Sequence, residues 1–433
     1  MSDLRKRVCI IGAGPSGLAC LRYLTESPEC FTVQAYEQGA ESAGCWVYTD
    51  ETGRDKNGFR IHSTIYDSLK VNLPKEIMAY LDFPFDEKLP SFFSHKEVLR
   101  YLNRYADNFQ LKQHIQFKTR VVKVKAKHVG DGLWGTKWIV EVQPSNDLSA
   151  TTEKREFDAV IVCNGHFVEP NIPEYEGFNE FKGLKIHGRD YRHAEKFKDK
   201  TILTVGSSFS GWEITLDVAP VAKYIYLSHW KEHKATKFPQ NVELVTGVNK
   251  FTANGVILTD GRELTVDAVI LNTGYKHSFP FLGPDCGIEM TKDNTVRPLY
   301  KHTIAIRNPS LLFMCIFDWV LPFICMSLQA RFIKAILEET LKLPPEEEMI
   351  QAEEAELQRV LDRGWPKRYL HRLDEFQFEY FDDLTNQMQL KRLPPWVFKL
   401  AFYHLNYLFK DLEAAKMVNY EVIEPDGFKT TFD

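Results

Sequence analysis

The chain has 433 residues, with 54 Lys+Arg against 59 Asp+Glu and a formal net charge of −5. It carries no long basic block, so nucleic acid and anionic membrane surfaces lack their main electrostatic handle. A content of 44% hydrophobic and 26% charged residues excludes a disordered chain, and the length predicts two domains or three small ones.

The N-terminal Arg5-Lys6-Arg7 before Val8–Ile11 imitates a signal peptide. The apolar run is too short, however, and ends in a glycine turn. Val8–Ile11 instead reads as a buried parallel strand. Gly12-Ala13-Gly14-Pro15-Ser16-Gly17 follows it, then an apolar helical face through Leu18, Ala19, Leu21, Tyr23 and Leu24. A second strand, Phe31–Tyr36, ends in Glu37. Strand, glycine turn, helix, strand and acidic residue in this order form a dinucleotide fingerprint. Gly12 permits the tight turn, Gly14 lets the backbone approach a pyrophosphate, and Gly17 allows close helix–strand packing. The helix N-terminus supplies partial positive charge. Glu37 can accept hydrogen bonds from adenosine ribose hydroxyls.

Val121–Lys125 and Trp138–Val142 read as antiparallel strands beside a glycine-rich turn at Gly130, Gly132 and Gly135. Asp158-Ala159-Val160-Ile161 is a strand leading to Gly165, and Pro170, Pro173 and Gly177 mark a linker. The fingerprint then returns: strand Thr201–Val205, turn Gly206-Ser207-Ser208-Phe209-Ser210-Gly211, a helix through Ile214 and Leu216, and strand Tyr224–Leu227. Asp267-Ala268-Val269-Ile270 leads to Gly274 as Asp158–Ile161 leads to Gly165, an internal repeat that predicts two dinucleotide-binding domains. The second turn has Ser208 in place of the middle glycine. Its second strand ends in Ser228-His229-Trp230-Lys231 rather than a carboxylate. A hydroxyl, an imidazole and an ammonium can bind a 2′-phosphate that a carboxylate would repel. FAD is therefore expected in the first domain and NADPH in the second, with Lys231 either on that phosphate or simply solvated beside Glu232.

Leu311–Leu328 is nearly all apolar but contains Asp318 and Pro322; it is expected as a buried strand and helix, not a membrane span. The tail has a Pro344-Pro345 breaker, an acidic helix through Glu346–Leu361, and an aromatic stretch including Phe376, Phe378, Tyr380 and Phe381. It is expected as helices packed over the core. The fold class is α/β, with two Rossmann-like domains and the NADP domain inserted into the FAD domain. The expected divisions are 1–168, 169–276 and 277–433. The eight cysteines include no C-x-x-C pair and no zinc spacing. A disulfide reductase is thereby disfavoured, no metal site is expected, and a reducing compartment is favoured.

Over nearly its whole length the chain resembles the flavin-containing monooxygenases. Phe181-Lys182-Gly183-Leu184-Lys185-Ile186-His187-Gly188-Arg189-Asp190-Tyr191 matches that family's F-x-G-x-x-x-H-x-x-x-[FY] pattern. Ala43-Gly44-Cys45-Trp46 resembles its G-G-x-W loop, with Ala for the first Gly. Asn72-Leu73-Pro74 and Asp82-Phe83-Pro84 resemble its asparagine segment; Cys163–His166 and Thr273-Gly274-Tyr275 match later landmarks; Pro322 with Gln329-Ala330-Arg331 resembles the stretch along the flavin ring.

The resemblance implies a 4a-hydroperoxyflavin that oxygenates a soft nucleophile, a small amine or sulfide, with NADPH and O2 as co-substrates. It implies FAD contacts from Gly12, Gly14, Pro15, Ser16, Gly17, Glu37, Gln38, Gly44, Cys45, Trp46, Asn72, Val121 and Gln329. NADP contacts are implied from Val71, Asn72, Gly206, Ser208, Phe209, Ser210, Gly211 and Lys231. Asn72 is the catalytic candidate, as a neutral hydrogen-bond donor, against a simple turn role. His187 reads as a hinge between domains in preference to a general base, with Tyr191 similar. The shorter, unanchored members are the better match, so a cytoplasmic location is expected and a homodimer is left open. The alternatives are a Baeyer–Villiger enzyme, which typically has Trp where this chain has Tyr191, an uncoupled NADPH oxidase, and a non-catalytic NADP(H) sensor.

Overall fold

The computed structural model describes residues 5–147, 149–229 and 237–432. Two sheets organise them. The first has seven strands in the order Leu299–Tyr300, Ile304–Ala305, Leu311–Phe313, Ala159–Val162, Lys6–Ile11, Phe31–Tyr36 and Ile115–Gln116. Its five strands from Leu311–Phe313 onward are parallel, and the other two add an antiparallel edge. Helix Pro15–Leu24 packs against helix Pro322–Leu337, burying Leu18, Leu21, Leu328 and Phe332 in the largest core. The apolar run from 311 thus divides into a central strand and the start of that second helix. No helix among the described residues is long and apolar enough to cross a membrane.

The second sheet is wholly parallel, in the order Val242–Val245, Tyr224–Ser228, Thr201–Val205, Ala268–Leu271 and Leu184–His187. It interrupts the first between Ala159–Val162 and Leu299–Tyr300. The chain leaves and re-enters the first domain side by side: Glu169–Pro170 pairs antiparallel with Tyr275–Lys276, and Asn171 N–H donates to the Gly274 carbonyl at 2.9 Å.

The repeat extends further than the two fingerprints. Each domain places a three-stranded antiparallel sheet between its first strands and its later Asp-Ala-Val-Ile strand. In the first domain it is Thr119–His128, Thr136–Pro144 and Glu153–Phe157; in the second, Val248–Thr252, Gly255–Leu258 and Glu263–Thr265. The paired aspartates do the same work in each half. Asp158 Oδ2 accepts the Arg7 N–H at 2.7 Å, and Asp267 Oδ2 accepts the Thr201 N–H at 2.8 Å. Each carboxylate therefore satisfies a backbone donor at the start of its domain's first strand, which would otherwise go unpaired.

The tail forms helices Glu346–Asp362, Gln377–Gln387 and Pro395–Lys410. A hairpin not anticipated above follows, Val418–Ile423 paired with Gly427–Phe432 across the turn sequence Glu424-Pro425-Asp426.

Candidate active site

The first glycine turn is built by two steric demands. Gly12 has φ +100°, and a Cβ there would lie 2.5 Å from the Cys163 carbonyl oxygen; a Cβ on Gly17 would lie 2.0 Å from the Gly12 carbonyl oxygen. Gly14 is different. Its backbone is extended (φ −70°, ψ −172°), and a Cβ would meet only Gly44, at 3.5 Å. The fold itself does not require a glycine there, so the open cradle at Gly14 fits a ligand lying against the backbone. Gly14 caps the helix without a side-chain acceptor, and Pro15 opens it. The first-turn N–H groups, those of Ser16 and Gly17 included, are left for an anion.

Glu37 anchors this turn. Its Oε2 accepts the Ala13 N–H at 2.8 Å and its Oε1 the Gly39 N–H at 2.7 Å. Each oxygen retains a lone pair for a ribose hydroxyl. Gln38 is exposed beside it. Val121 lies on the strand whose first residue, Thr119, donates to the Glu37 carbonyl at 2.9 Å. The Gly44–Trp46 turn closes over the phosphate loop: a Cβ on Gly44 would be 3.0 Å from Gly14 Cα. Ala43, standing where the resembling loop has glycine, adopts φ +91° and donates its N–H to the Ala13 carbonyl at 3.0 Å. Burial pushes the Cys45 thiol up to about 11, so it is no nucleophile at neutral pH. Trp46 packs at the margin of the main core. This arrangement fits FAD.

The second turn repeats the geometry. Gly206 has φ +105°, and a Cβ on Gly211 would lie 1.9 Å from its carbonyl oxygen. Ser208 occupies the middle position with extended backbone, φ −98° and ψ −176°. That conformation makes no demand for glycine, so the serine does not weaken the turn. Phe209 and Ser210 open the helix Phe209–Val218. Ser228 departs from expectation. It is buried, and its hydroxyl donates to the Thr246 carbonyl at 2.9 Å, so it is spent inside the sheet rather than offered to a 2′-phosphate. Lys231 and Trp230 lie outside the described residues.

Asn72 sits in a stretch that joins the first turn to the far end of the helix following the second. Upstream, Ser68 Oγ donates to Asp217 of the second turn's helix at 2.6 Å. Downstream, the Tyr80 hydroxyl donates to the carbonyl of Pro15, which opens the first turn's helix, at 2.7 Å. The peptide groups on either side of the Val71–Asn72 peptide are anchored: in the first, the Lys70 carbonyl by Lys416 Nζ at 3.2 Å and the Val71 N–H by the Phe93 carbonyl at 3.0 Å; in the second, the Asn72 carbonyl by His404 Nε2 at 2.9 Å. The Asn72 side-chain amide is half-buried and has no hydrogen-bond partner among the described residues. A fixed backbone thus presents an uncommitted neutral donor. Val71, by contrast, is buried.

His187 Nδ1 accepts the Arg189 N–H and its Nε2–H donates to the Gly274 carbonyl, each at 3.1 Å. Burial lowers its pKa to about 4. A neutral ring with both nitrogens committed ties the linker to Gly274 and has no lone pair free to act as a base. Tyr191 is buried in the second domain, and its hydroxyl donates to Asp217, the carboxylate that also holds Ser68. Gln329 is buried, and its amide is fully engaged. Oε1 accepts the Cys315 N–H, and Nε2 donates to Thr303 Oγ1 and Tyr380 Oη. It braces the turn at Cys315 and has no donor left for a cofactor.

Two important residues carried no sequence signal. Arg192, buried, donates to the carbonyls of Thr49, Arg189, Tyr191, Glu51 and Ser63. It thereby clamps the segment after the Gly44 turn to the linker. His404 arrives from the tail, whose helix also packs Leu408 with Trp212 and Leu216 of the second turn's helix. Phe209, Trp319 and Phe409 form an aromatic face there, with Phe209–Trp319 ring centres 4.9 Å apart. No cluster able to hold a metal ion is found among the described residues.

A profile of the flavin-binding monooxygenase-like family matches residues 5–236 and 232–404. Flavin-containing monooxygenase FMO GS-OX5 of Arabidopsis thaliana is 35% identical over 400 residues, covering 88% of this chain and 84% of that protein. The S-allyl-L-cysteine S-oxygenase structure from Allium sativum superposes with a TM-score of 0.86 at 32% identity, covering 95% of each chain. Tmm from Pelagibacter sp. strain HTCC7211 gives a TM-score of 0.86 at 27% identity, covering 98% of this chain and 96% of that one.

Proposed function

From membership of the flavin-binding monooxygenase-like family, to which this chain belongs as a flavin-dependent monooxygenase using FAD and NADPH, we propose that it S-oxygenates small thioethers and that Asn72 is its catalytic residue. The observation carrying this reading is the unpartnered Asn72 amide on a pinned backbone that joins the first dinucleotide turn to the helix following the second. FAD, when bound, would supply the redox chemistry between NADPH and O2. The chain's own residues bind, orient and withhold protons. The Gly12–Gly17 turn and Glu37 would hold the FAD diphosphate and ribose, and the Gly206–Gly211 turn would hold the NADPH diphosphate. Asn72 donates a hydrogen bond without supplying an acidic proton, which steadies developing negative charge in a dry site. His187, neutral and fully bonded, adds no competing acid.

Sulfur as the target is supported by the S-oxygenase at 32% identity and by the aromatic face of Phe209, Trp319 and Phe409, which suits a polarisable thioether. In the test, purified holoenzyme receives NADPH, O2 and, in separate reactions, an S-alkyl cysteine, a tertiary amine and a cyclic ketone. Sulfoxide formation matched to NADPH consumption is expected; ester from the ketone, or amine oxide alone, would overturn the proposal. Asn72→Ala should still consume NADPH but release hydrogen peroxide in place of product. A preorganised donor is worth about 3–4 kcal/mol, so the peroxide-to-product ratio should rise on the order of a hundredfold or more.

A further inference from the structure

We propose that His404, on the tail helix Pro395–Lys410, is a positioning residue that sets the aim of the Asn72 amide; this rests on the reading of Asn72 given above. The contact joins residues 332 positions apart, so no local turn preference accounts for it. The Asn72 carbonyl can only accept, so Nε2 of His404 carries the proton, and Nδ1 is left to accept from the Tyr420 hydroxyl, 3.3 Å away. The ring is 1% exposed and tilts against Phe92 with ring centres 5.0 Å apart. Burial, with Lys416 nearby, lowers its pKa to about 4 against the pull of the Asn72 hydrogen bond. The imidazole is therefore a fixed, neutral donor with one orientation available.

Support continues behind it. Tyr420 donates its N–H to Ser91 Oγ at 2.9 Å, Ser91 donates its own N–H to Asn419 Oδ1 at 2.8 Å, and the Ser91 hydroxyl donates to Glu76 at 3.0 Å. The hairpin strand bearing Asn419 and Tyr420 is thus laced to the short helix Lys75–Met78 that follows Asn72. A second tail residue, Lys416, anchors the Lys70 carbonyl and pairs with Glu213 on the second turn's helix. With the Lys70 carbonyl, the Val71 N–H and the Asn72 carbonyl held, the peptide groups on both sides of the Val71–Asn72 peptide are fixed, and this narrows the direction of the Asn72 Cα–Cβ bond. Two of the three anchors come from the tail. The active site is completed by residues at the far end of the chain.

The test compares His404→Leu, which removes the donor but keeps an apolar side chain, with His404→Gln, whose amide N–H can reach the same carbonyl. Asn72→Ala and the double variant Asn72→Ala/His404→Leu are run beside them. In flavin-free protein, amide exchange of the peptide covering residues 69–73 is measured; in holoenzyme, hydrogen peroxide against oxygenated product. His404→Leu should speed exchange in that peptide and raise the peroxide-to-product ratio on the order of tenfold to a hundredfold, the cost of a reacting group misplaced by a fraction of a residue. His404→Gln should restore both to within about threefold, and the double variant should partition like Asn72→Ala alone. Should His404→Leu not fold, Lys416→Met, which cuts the Lys70 anchor, should shift both readouts in the same direction. Normal coupling in the His404 or Lys416 variant while Asn72→Ala is uncoupled would overturn the positioning role. Normal coupling in Asn72→Ala itself would overturn the Asn72 reading and this inference with it.

Discussion

Acidification should destabilise this protein through its buried histidines. His166, His187 and His404 are each pushed from 6.5 down to about 4 by burial. In the unfolded chain all three return to 6.5. Below that value the unfolded state takes up protons that the folded state refuses, so stability falls as pH drops from 6.5 towards about 4; above that window the groups contribute no pH dependence. At about pH 5, one such histidine costs about 2 kcal/mol, and the three together on the order of 6. That is comparable with the roughly 5–15 kcal/mol net stability of a typical domain. His371, driven well below its usual value by burial and by His302, acts in the same direction. His62, His95 and His277, also lowered by burial, act with the three histidines, whereas Glu76 and Asp318, whose pKa values burial raises, act in the opposite direction, so the three-histidine sum is an order of magnitude for the net effect. Urea denaturation followed by tryptophan fluorescence at several pH values between about 7.5 and 5 gives the slope directly. His404→Gln should reduce that slope by close to one proton, whatever it does to stability at neutral pH. A flat stability profile across this range, or an unchanged slope in His404→Gln, would refute the reasoning.

Two glycines of one turn should behave oppositely. Gly14→Ala should leave stability within about 1 kcal/mol, because its backbone is extended and its Cβ finds room, yet purify with little FAD. Gly17→Ala should fail to fold, its Cβ being 2.0 Å from the Gly12 carbonyl oxygen; flavin absorbance and thermal denaturation distinguish the two. Glu213→Gln should cost about 3 kcal/mol in urea denaturation, since the pair with Lys416 has only 10% and 13% side-chain exposure and breaking it strands a buried ammonium. Adding Lys416→Met should recover most of that loss, and strictly additive losses would contradict a direct pair.

Both dinucleotide turns could be read from the chain because their requirements are local. Gly12 and Gly206 adopt φ near +100°, where residues bearing a Cβ are rare, and Gly17 and Gly211 have no room for a Cβ. The Asp158 and Asp267 echo was legible only as a repeated Asp-Ala-Val-Ile string, since the bonds by which each caps its own domain's first strand span 151 and 66 residues. Ser228 was misread because alternation in a parallel strand does not say which side faces a ligand when both are covered. Gln329 shared a stretch with flavin-facing positions, but its partners Thr303, Cys315 and Tyr380 lie on three separate elements. His404, in an aromatic tail helix, resembles any core histidine until the fold brings it to Asn72. Pairings across hundreds of residues leave no trace in periodicity, and the tail's part in the site was invisible for that reason.

The interruption of one sheet by another also sets an order of events during synthesis. All five strands of the inserted sheet lie between Leu184 and Leu271, whereas Ala159–Val162 must wait for Leu311–Phe313 to cover its second edge. A nascent chain therefore carries a complete middle and an unfinished beginning, reversing the usual N-terminal-first sequence of domain folding. Until residue 313 has emerged, Ala-Val-Ile-Val presents an all-apolar open edge, the kind of surface that recruits other chains. Truncation before that point should yield aggregates rather than a half-size flavoprotein, while a fragment cut at the paired crossings, Glu169 to Lys276, takes away a whole sheet and uncovers no strand of the first.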